Sequence, residues 1–356
     1  MTSSIIYPIQ YLRAFAAIWV MLFHYSASQQ STSILQQFFQ YGYVGVDIFF
    51  LISGFIICKT AATTKHSPYM FLLRRYIRIF FGFWAILITF LTLNYFCNPQ
   101  PKYYNYYRSF LLLPQPFADN PITVIWSLKS ELAFYSFVFI ILLIPNKKRI
   151  IIISISMFLL ISMLICHAAL GIFETIEKYY SIFLYNPPFH WHVTPYLLEF
   201  VAGCAIYHYK PNITYPLIYA AILLFVAITF ERYFLPKDYI ITLHASFYRV
   251  ILFLPFSALL LIATLKYHHQ PKWFIARAFA KIGDASFSLY LWHLPLLVIA
   301  QNWYPNILII DNNISLSLAL IGCFAIIFSI LWYDHVEKPI YKYATLLLDK
   351  YKNGGA

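Results

Sequence analysis

Near the N-terminus the run RAFAAIWVMLFH opens on Arg13 and closes on His24, a guanidinium and an imidazole bracketing ten other residues. Eleven steps of 100° come to about 20° beyond three full turns, so on a helix the two share one face, roughly 16 Å apart along the axis. A charged group inside hydrocarbon costs several kcal/mol, so each one asks for a partner or a purpose. Taken singly, Arg13 can snorkel to headgroups and His24 can be a satisfied core histidine. A stripe that carries both, a cation at one end and a titratable base at the other, points instead to a shared site.

Other residues of this kind follow along the chain. In YGYVGVDIFFLISGF, Asp47 stands near the start of a second apolar run. If that run returns beside the first, Asp47 and His24 fall at similar depth. A carboxylate beside an imidazole fixes its tautomer and raises its basicity, as general-base catalysis requires. As an alternative, Asp47 caps its helix and complements the dipole. In FLLRRYIRIF, Arg74, Arg75 and Arg78 lie three and four residues apart and can present one guanidinium cluster. Such forks suit phosphate, although positive-inside anchoring accounts for one or two of them. WSLKSELAFY embeds Lys129 and Glu131, with Tyr135 one turn beyond Glu131 on the same side. His293, in SLYLWHLPLL, precedes a proline by two residues, where a kink can hold a polar pocket open. Glu199, Arg249 and Asp284 add further charge; structural ion pairing is the favoured reading of Glu199 and Arg249.

The elements that must position these groups are membrane helices. Of 356 residues, 61% are hydrophobic, 21% aromatic and 11% charged, whereas a soluble domain is about a quarter charged. Ten apolar segments are expected, near 11–28, 43–60, 76–96, 124–144, 150–170, 194–209, 215–230, 247–265, 285–303 and 314–333, each read against the ~20 residues a span needs. They form one all-α transmembrane domain, 1–356, around an intramembrane polar cavity. With the N-terminus inside, 18 of the 25 Lys and Arg fall in inner loops and 5 in outer ones, so the expected topology is N-in, C-in. The net charge of +12 then marks membrane orientation rather than nucleic-acid binding. The five cysteines are scattered, with no metal-ligand spacing. His190 and His192, and His268 and His269, have no cysteine or acidic neighbour to complete a metal site, and no metal is expected. The aromatic outer loops are read first as interface belts and second as surfaces on which sugar rings stack.

Taken in order, Q10-Y-L-R13-A…H24, G45-V-D47-I-F-F-L-I-S53-G54-F, R74-R-Y-I-R78, W126-S-L…E131…F-Y135 and S286-F-S-L-Y-L-W-H293-L-P closely resemble the acyltransferase-3 family of bacterial integral-membrane acyltransferases. The resemblance runs from about Ile9 to Pro339. It implies transfer of an acyl group, commonly acetyl, from cytoplasmic acetyl-coenzyme A to a hydroxyl of a surface polysaccharide such as lipopolysaccharide O-antigen or exopolysaccharide, in the cytoplasmic (inner) membrane. With only a short basic tail after the last segment, the chain resembles the stand-alone kind. The arginine–histidine pair of the family's first helix matches Arg13 and His24, and its R-x-x-R matches Arg75 and Arg78.

Both lines of reading converge on one expectation. Arg13, Arg74, Arg75 and Arg78 bind the coenzyme's phosphates. His24, oriented by Asp47, acts as general base or transient acyl carrier, and Glu131, Tyr135 and His293 complete the catalytic set, with Tyr135 or His293 as oxyanion donors. The alternative from another class is a transporter or flippase of lipid-linked saccharides. Against it, no matched broken helices or inverted repeat can be read.

Overall fold

The structure, a computed structural model, describes residues 7–26, 34–63, 67–97, 104–113, 115, 119–144, 152, 162, 195–234, 243–267, 273–303 and 314–354. Among them every regular element is helical. The helices are α1 (Tyr7–Ser26), α2 (Ile34–Gln40), α3 (Val44–Thr63), α4 (Pro68–Cys97), α5 (Tyr106–Phe110) and α6 (Trp126–Leu143), the last entered through a 3₁₀ turn (Thr123–Ile125). The second half adds α7 (Tyr196–Tyr209), α8 (Pro216–Phe234), α9 (Leu243–Lys266), α10 (Phe274–Asp284), α11 (Ser286–Trp303), α12 (Ile314–Trp332) and α13 (Lys338–Gly354). A π-helical turn, Tyr333–Glu337, joins α12 to α13.

Six helices are long and apolar enough to cross a membrane, and seven if α10 and α11, bent by 74° at their junction, make one broken span. The protein is therefore a multi-pass membrane protein. Of the ten expected segments, the one near 150–170 lies outside the described residues apart from residues 152 and 162, as do the loop around His190 and His192 and the pair His268 and His269. The first segment is helical for 20 residues, about 30 Å. It is not among the six because Gln10, Arg13 and His24 dilute its hydropathy. The sixth forms only the 14-residue α7, about 21 Å and short of a crossing.

Lipid tails are as apolar as leucine, so helices associate in a bilayer by close packing rather than by burying oily surface. The α3–α7 crossing shows how close. A Cβ on Gly54 would lie 1.9 Å from Phe200 O, and one on Gly203 would lie 2.0 Å from Leu51 O. Each helix thus offers a glycine to the other's backbone, and no larger residue fits. Around this contact Phe50, Phe134 and Phe200 are fully buried, their rings meeting at 5.3 Å and 4.8 Å.

The first helix sits centrally, packed along α3, α10 and α11. Tyr25 Oη donates to His293 O over 2.8 Å, tying the end of α1 to α11. This placement brings the two ends of the Arg13–His24 stripe against different neighbours.

Candidate active site

Arg13, α3, α4, α6 and α11 enclose a cavity of about 580 Å³. Five cationic side chains line it, Arg13, Lys59, Arg74, Arg75 and Arg78, against two carboxylates, Glu131 and Asp284. The arginines are held at different strengths. Arg75 Nη2 donates to Thr60 Oγ1 (2.8 Å), and its guanidinium sits 5.8 Å and 5.9 Å from the Phe71 and Tyr135 ring centroids. Arg13 reaches Gln10 Oε1 at 3.4 Å. Arg74 pairs with Asp349 of α13 near the exposed end of the cavity. Arg78 lines the space with no hydrogen-bond partner among the described residues. Glu131 accepts from Ser53 Oγ (2.6 Å) and lies in the field of Arg13, Arg75 and Arg78. Even so, with Arg74 matched by Asp349, the lining keeps an excess of two positive charges, an arrangement fit for a multiply charged anion.

At its deep end the cavity meets Phe49, Ser127 and Tyr290. Tyr290 Oη lies 2.8 Å from Ser127 Oγ and 3.1 Å from Val124 O, and its ring meets Phe49 edge to face at 5.9 Å. Behind that ring, at 6.0 Å, is the imidazole of His293. His24 and His293 do not line the cavity; the Tyr290 ring lies between its lining and His293.

The two histidines meet each other. His293 Nε2 lies 3.1 Å from His24 Nδ1, their ring centroids 5.0 Å apart. His24 Nδ1 also lies 3.0 Å from Val20 O, and His293 Nδ1 lies 3.2 Å from Leu289 O. Carbonyl oxygens only accept, so these contacts assign the protons: Nδ1 carries hydrogen on both rings. His24 Nδ1–H is then shared between Val20 O and the Nε2 lone pair of His293. His24 Nε2 is left unprotonated, a base directed away from both.

The nine residues singled out from sequence thus fall into three groups. Arg13, Arg74, Arg75 and Arg78 share the cavity, together with Glu131 and Tyr135. His24 and His293 form the pair beyond it. Asp47 joins neither. Its carboxylate, 0% exposed, takes Arg249 Nε at 3.1 Å and 2.9 Å and Nη2 at 2.7 Å. The physical reason is helical phase. Gly45 presses on α1 so closely that its Cβ would come 2.5 Å from Ala16 O. Two residues later the helix has turned 200°, so Asp47 faces α9 instead of His24. His293, not Asp47, is the hydrogen-bonding neighbour of His24. Glu199 lies beside Asp47, in the field of the Asp47–Arg249 pair. The expected ion pairing of Arg249 is present.

Sequence reasoning passed over Tyr290, Lys59 and the tyrosines Tyr333 and Tyr341 that also line the cavity. Tyr290 was within reach, three residues before His293 on the same helical face. Tyr333 was not, because it sits in the π-helical turn, whose altered phase no 3.6-residue pattern anticipates. Among the described residues no group of three or more His, Cys, Asp or Glu is placed to hold a metal ion.

No curated protein and no solved structure matches the chain. A family model described as an acyltransferase domain matches residues 6–334, nearly the whole chain. With a polar cavity between membrane helices and a histidine pair at its far end, the protein belongs to the acyltransferase-3 family of membrane acyltransferases.

Proposed function

We propose that the protein is an O-acetyltransferase of the bacterial inner membrane, moving acetyl from cytoplasmic acetyl-coenzyme A to a hydroxyl of a surface polysaccharide such as O-antigen or exopolysaccharide. In this reading both termini lie in the cytoplasm. The observation that carries it is the cavity with an excess of two positive charges, ending at Tyr290, whose ring meets the His293 imidazole that is paired with His24.

Arg13, Arg75 and Arg78 grip the phosphates of the donor, with Lys59 and Arg74 nearer the entrance. The pantetheine arm runs toward Tyr290, and the thioester passes that ring to reach His24. His24 Nε2 takes the proton of the sugar hydroxyl as its oxygen forms a bond to the thioester carbonyl carbon. The Nε2 lone pair of His293 stabilises the resulting imidazolium through Nδ1–H. When the tetrahedral intermediate collapses, the carbon–sulfur bond breaks, and the proton on His24 passes to the departing thiolate. Ester and free coenzyme are the products, with no net proton released.

Replacement of His24 by Ala, in purified protein given radiolabelled acetyl-coenzyme A and isolated surface glycan, is expected to lower transfer by about 10²- to 10⁴-fold, the usual contribution of general acid–base catalysis. Donor binding should persist. Glycan acetylation at the wild-type rate in that variant would end the proposal.

A further inference from the structure

A second space lies apart from the cavity, between α4 and α13. It is a groove of about 490 Å³, lined by Ile77 and Phe81 of α4 and by a stripe of α13 that includes Ile340, Tyr343 and Leu347. None of the described residues that line it is charged. The stripe follows from helical spacing, since residues three and four apart fall on one side of a helix. Phe81, Tyr343 and Leu347 keep 38%, 66% and 48% of their surface exposed, so the groove is open to the outside of the bundle. Both α4 and the run from α12 into α13 are long and apolar enough to cross a membrane, and what faces an open groove between such helices is lipid.

The two ends of the groove differ. Arg74 pairs with Asp349, so the N-terminal part of α4 meets the C-terminal part of α13, and Phe81 falls toward Pro339. At that end the lining is wholly apolar. At the other end stand Arg74, three residues before Ile77, and Lys350, three after Leu347. Asp349 is matched by Arg74, while the exposed Lys350 has no hydrogen bond or ion pair among the described residues, which leaves one positive charge over. The run from Leu316 to Lys350 counts 35 residues, about 52 Å of helix against a hydrocarbon core of ~30 Å. The α12 part carries no charged residue, whereas α13 carries Lys338, Lys342 and Lys350, so the excess length falls at the Lys350 end and sets that residue at headgroup level.

From this we infer that the groove holds an acyl chain of an anionic phospholipid, with the headgroup phosphate at Lys350. Groove and lipid run in the same order, apolar toward the bilayer centre and charged at its surface. A zwitterionic lipid fills the groove but brings no net charge to Lys350, and a free phosphate meets the charge but leaves the groove empty. The position gives the lipid a consequence. The helix α13 also supplies Tyr341 to the cavity lining and Asp349 to Arg74, so a lipid seated between α4 and α13 braces one wall of the cavity. The inference stands whatever reaction the cavity performs.

The test uses the full chain, purified in detergent and stripped of lipid, with thermal unfolding and native mass spectrometry as readouts. The probes are dioleoyl phosphatidylglycerol, dioleoyl phosphatidylethanolamine, and glycerophosphoglycerol as the headgroup without chains. Phosphatidylglycerol should raise the melting temperature saturably and stay bound in the spectrometer. Phosphatidylethanolamine should bind about fivefold more weakly, the usual contribution of one basic residue to anionic-lipid binding, and the bare headgroup should do nothing. Lys350→Gln should bring phosphatidylglycerol down to the level of phosphatidylethanolamine. Leu347→Trp, which fills the groove from a half-exposed position, should weaken both lipids, and Leu347→Asn gives the same answer if the tryptophan variant does not fold. The site is overturned if neither lipid has a saturable effect, if the two bind equally, if the bare headgroup matches the whole lipid, or if the variants bind as wild type does.

Discussion

Two intramembrane charge clusters lie on opposite faces of α3. Toward α4 and α6 the cavity sets five cations against two carboxylates. Toward α7 and α9 a single guanidinium is bound to one carboxylate and faced by another. The first is roomy and unbalanced; the second is close-packed and balanced. Uncompensated charge in a low-dielectric setting is costly, and a chain tolerates it where a ligand of opposite sign completes the balance. Matched charge costs less and needs no visitor, and what it adds is register between helices. One cluster therefore reads as a site for an anion and the other as a fastening between helices.

The largest expected effect separates the clusters by stability. Asp47→Ala leaves Arg249 buried without its partner, which costs about 3–5 kcal/mol where buried pairs have been broken. Thermal unfolding in detergent should show a melting temperature well below wild type. Arg78→Ala removes a cation that makes no hydrogen bond among the described residues and meets Glu337 and Glu131 only through their field, and should lower the melting temperature far less. Equal destabilisation by both changes would erase the distinction.

A smaller effect separates them by ligand. Arg75→Ala and Arg78→Ala should each weaken acetyl-coenzyme A binding by about 1.5–3 kcal/mol, the range for hydrogen bonds to charged groups. Isothermal calorimetry reads this directly. Arg75 is expected to show the larger loss of the two in catalysis, because Thr60 and the Phe71 and Tyr135 rings already hold it in place. Binding to the cavity should also fall as ionic strength rises, since an excess of cations attracts an anion over a Debye length of about 8–10 Å. A salt-independent donor affinity would argue against phosphate recognition.

These contrasts explain what was legible beforehand. Residues one or two turns apart on one helix could be grouped correctly, as Arg74, Arg75 and Arg78 were, because 3.6-residue geometry is local and unforgiving. That the chain is an all-helical membrane protein followed from composition alone. Which helix face meets which neighbour was not legible. Asp47 was matched to His24 by depth, but rotation about α3 is set by the Gly45 contact with α1 and by the reciprocal glycines of α3 and α7, and no single-sequence pattern fixes that phase. The His24–His293 contact spans 269 residues and had no local signature at all. Glu131 and Tyr135 were grouped with each other correctly, yet with the histidines rather than the arginines, for the same reason.

A solvent-exposed charge contact sharpens the comparison from the other side. Arg74 and Asp349 pair near the cavity entrance, with side chains 22% and 47% exposed. At that exposure solvent screens the attraction, and surface pairs contribute about 0.2–1 kcal/mol. Asp349→Asn should therefore move the melting temperature little, far less than Asp47→Ala. It should also free Arg74, adding one uncompensated cation to the cavity and raising acetyl-coenzyme A affinity slightly at low salt, with the gain vanishing as salt is added. A loss of affinity on this substitution would mean that Asp349 holds Arg74 in the geometry the donor needs, and that balance, not excess, organises the entrance.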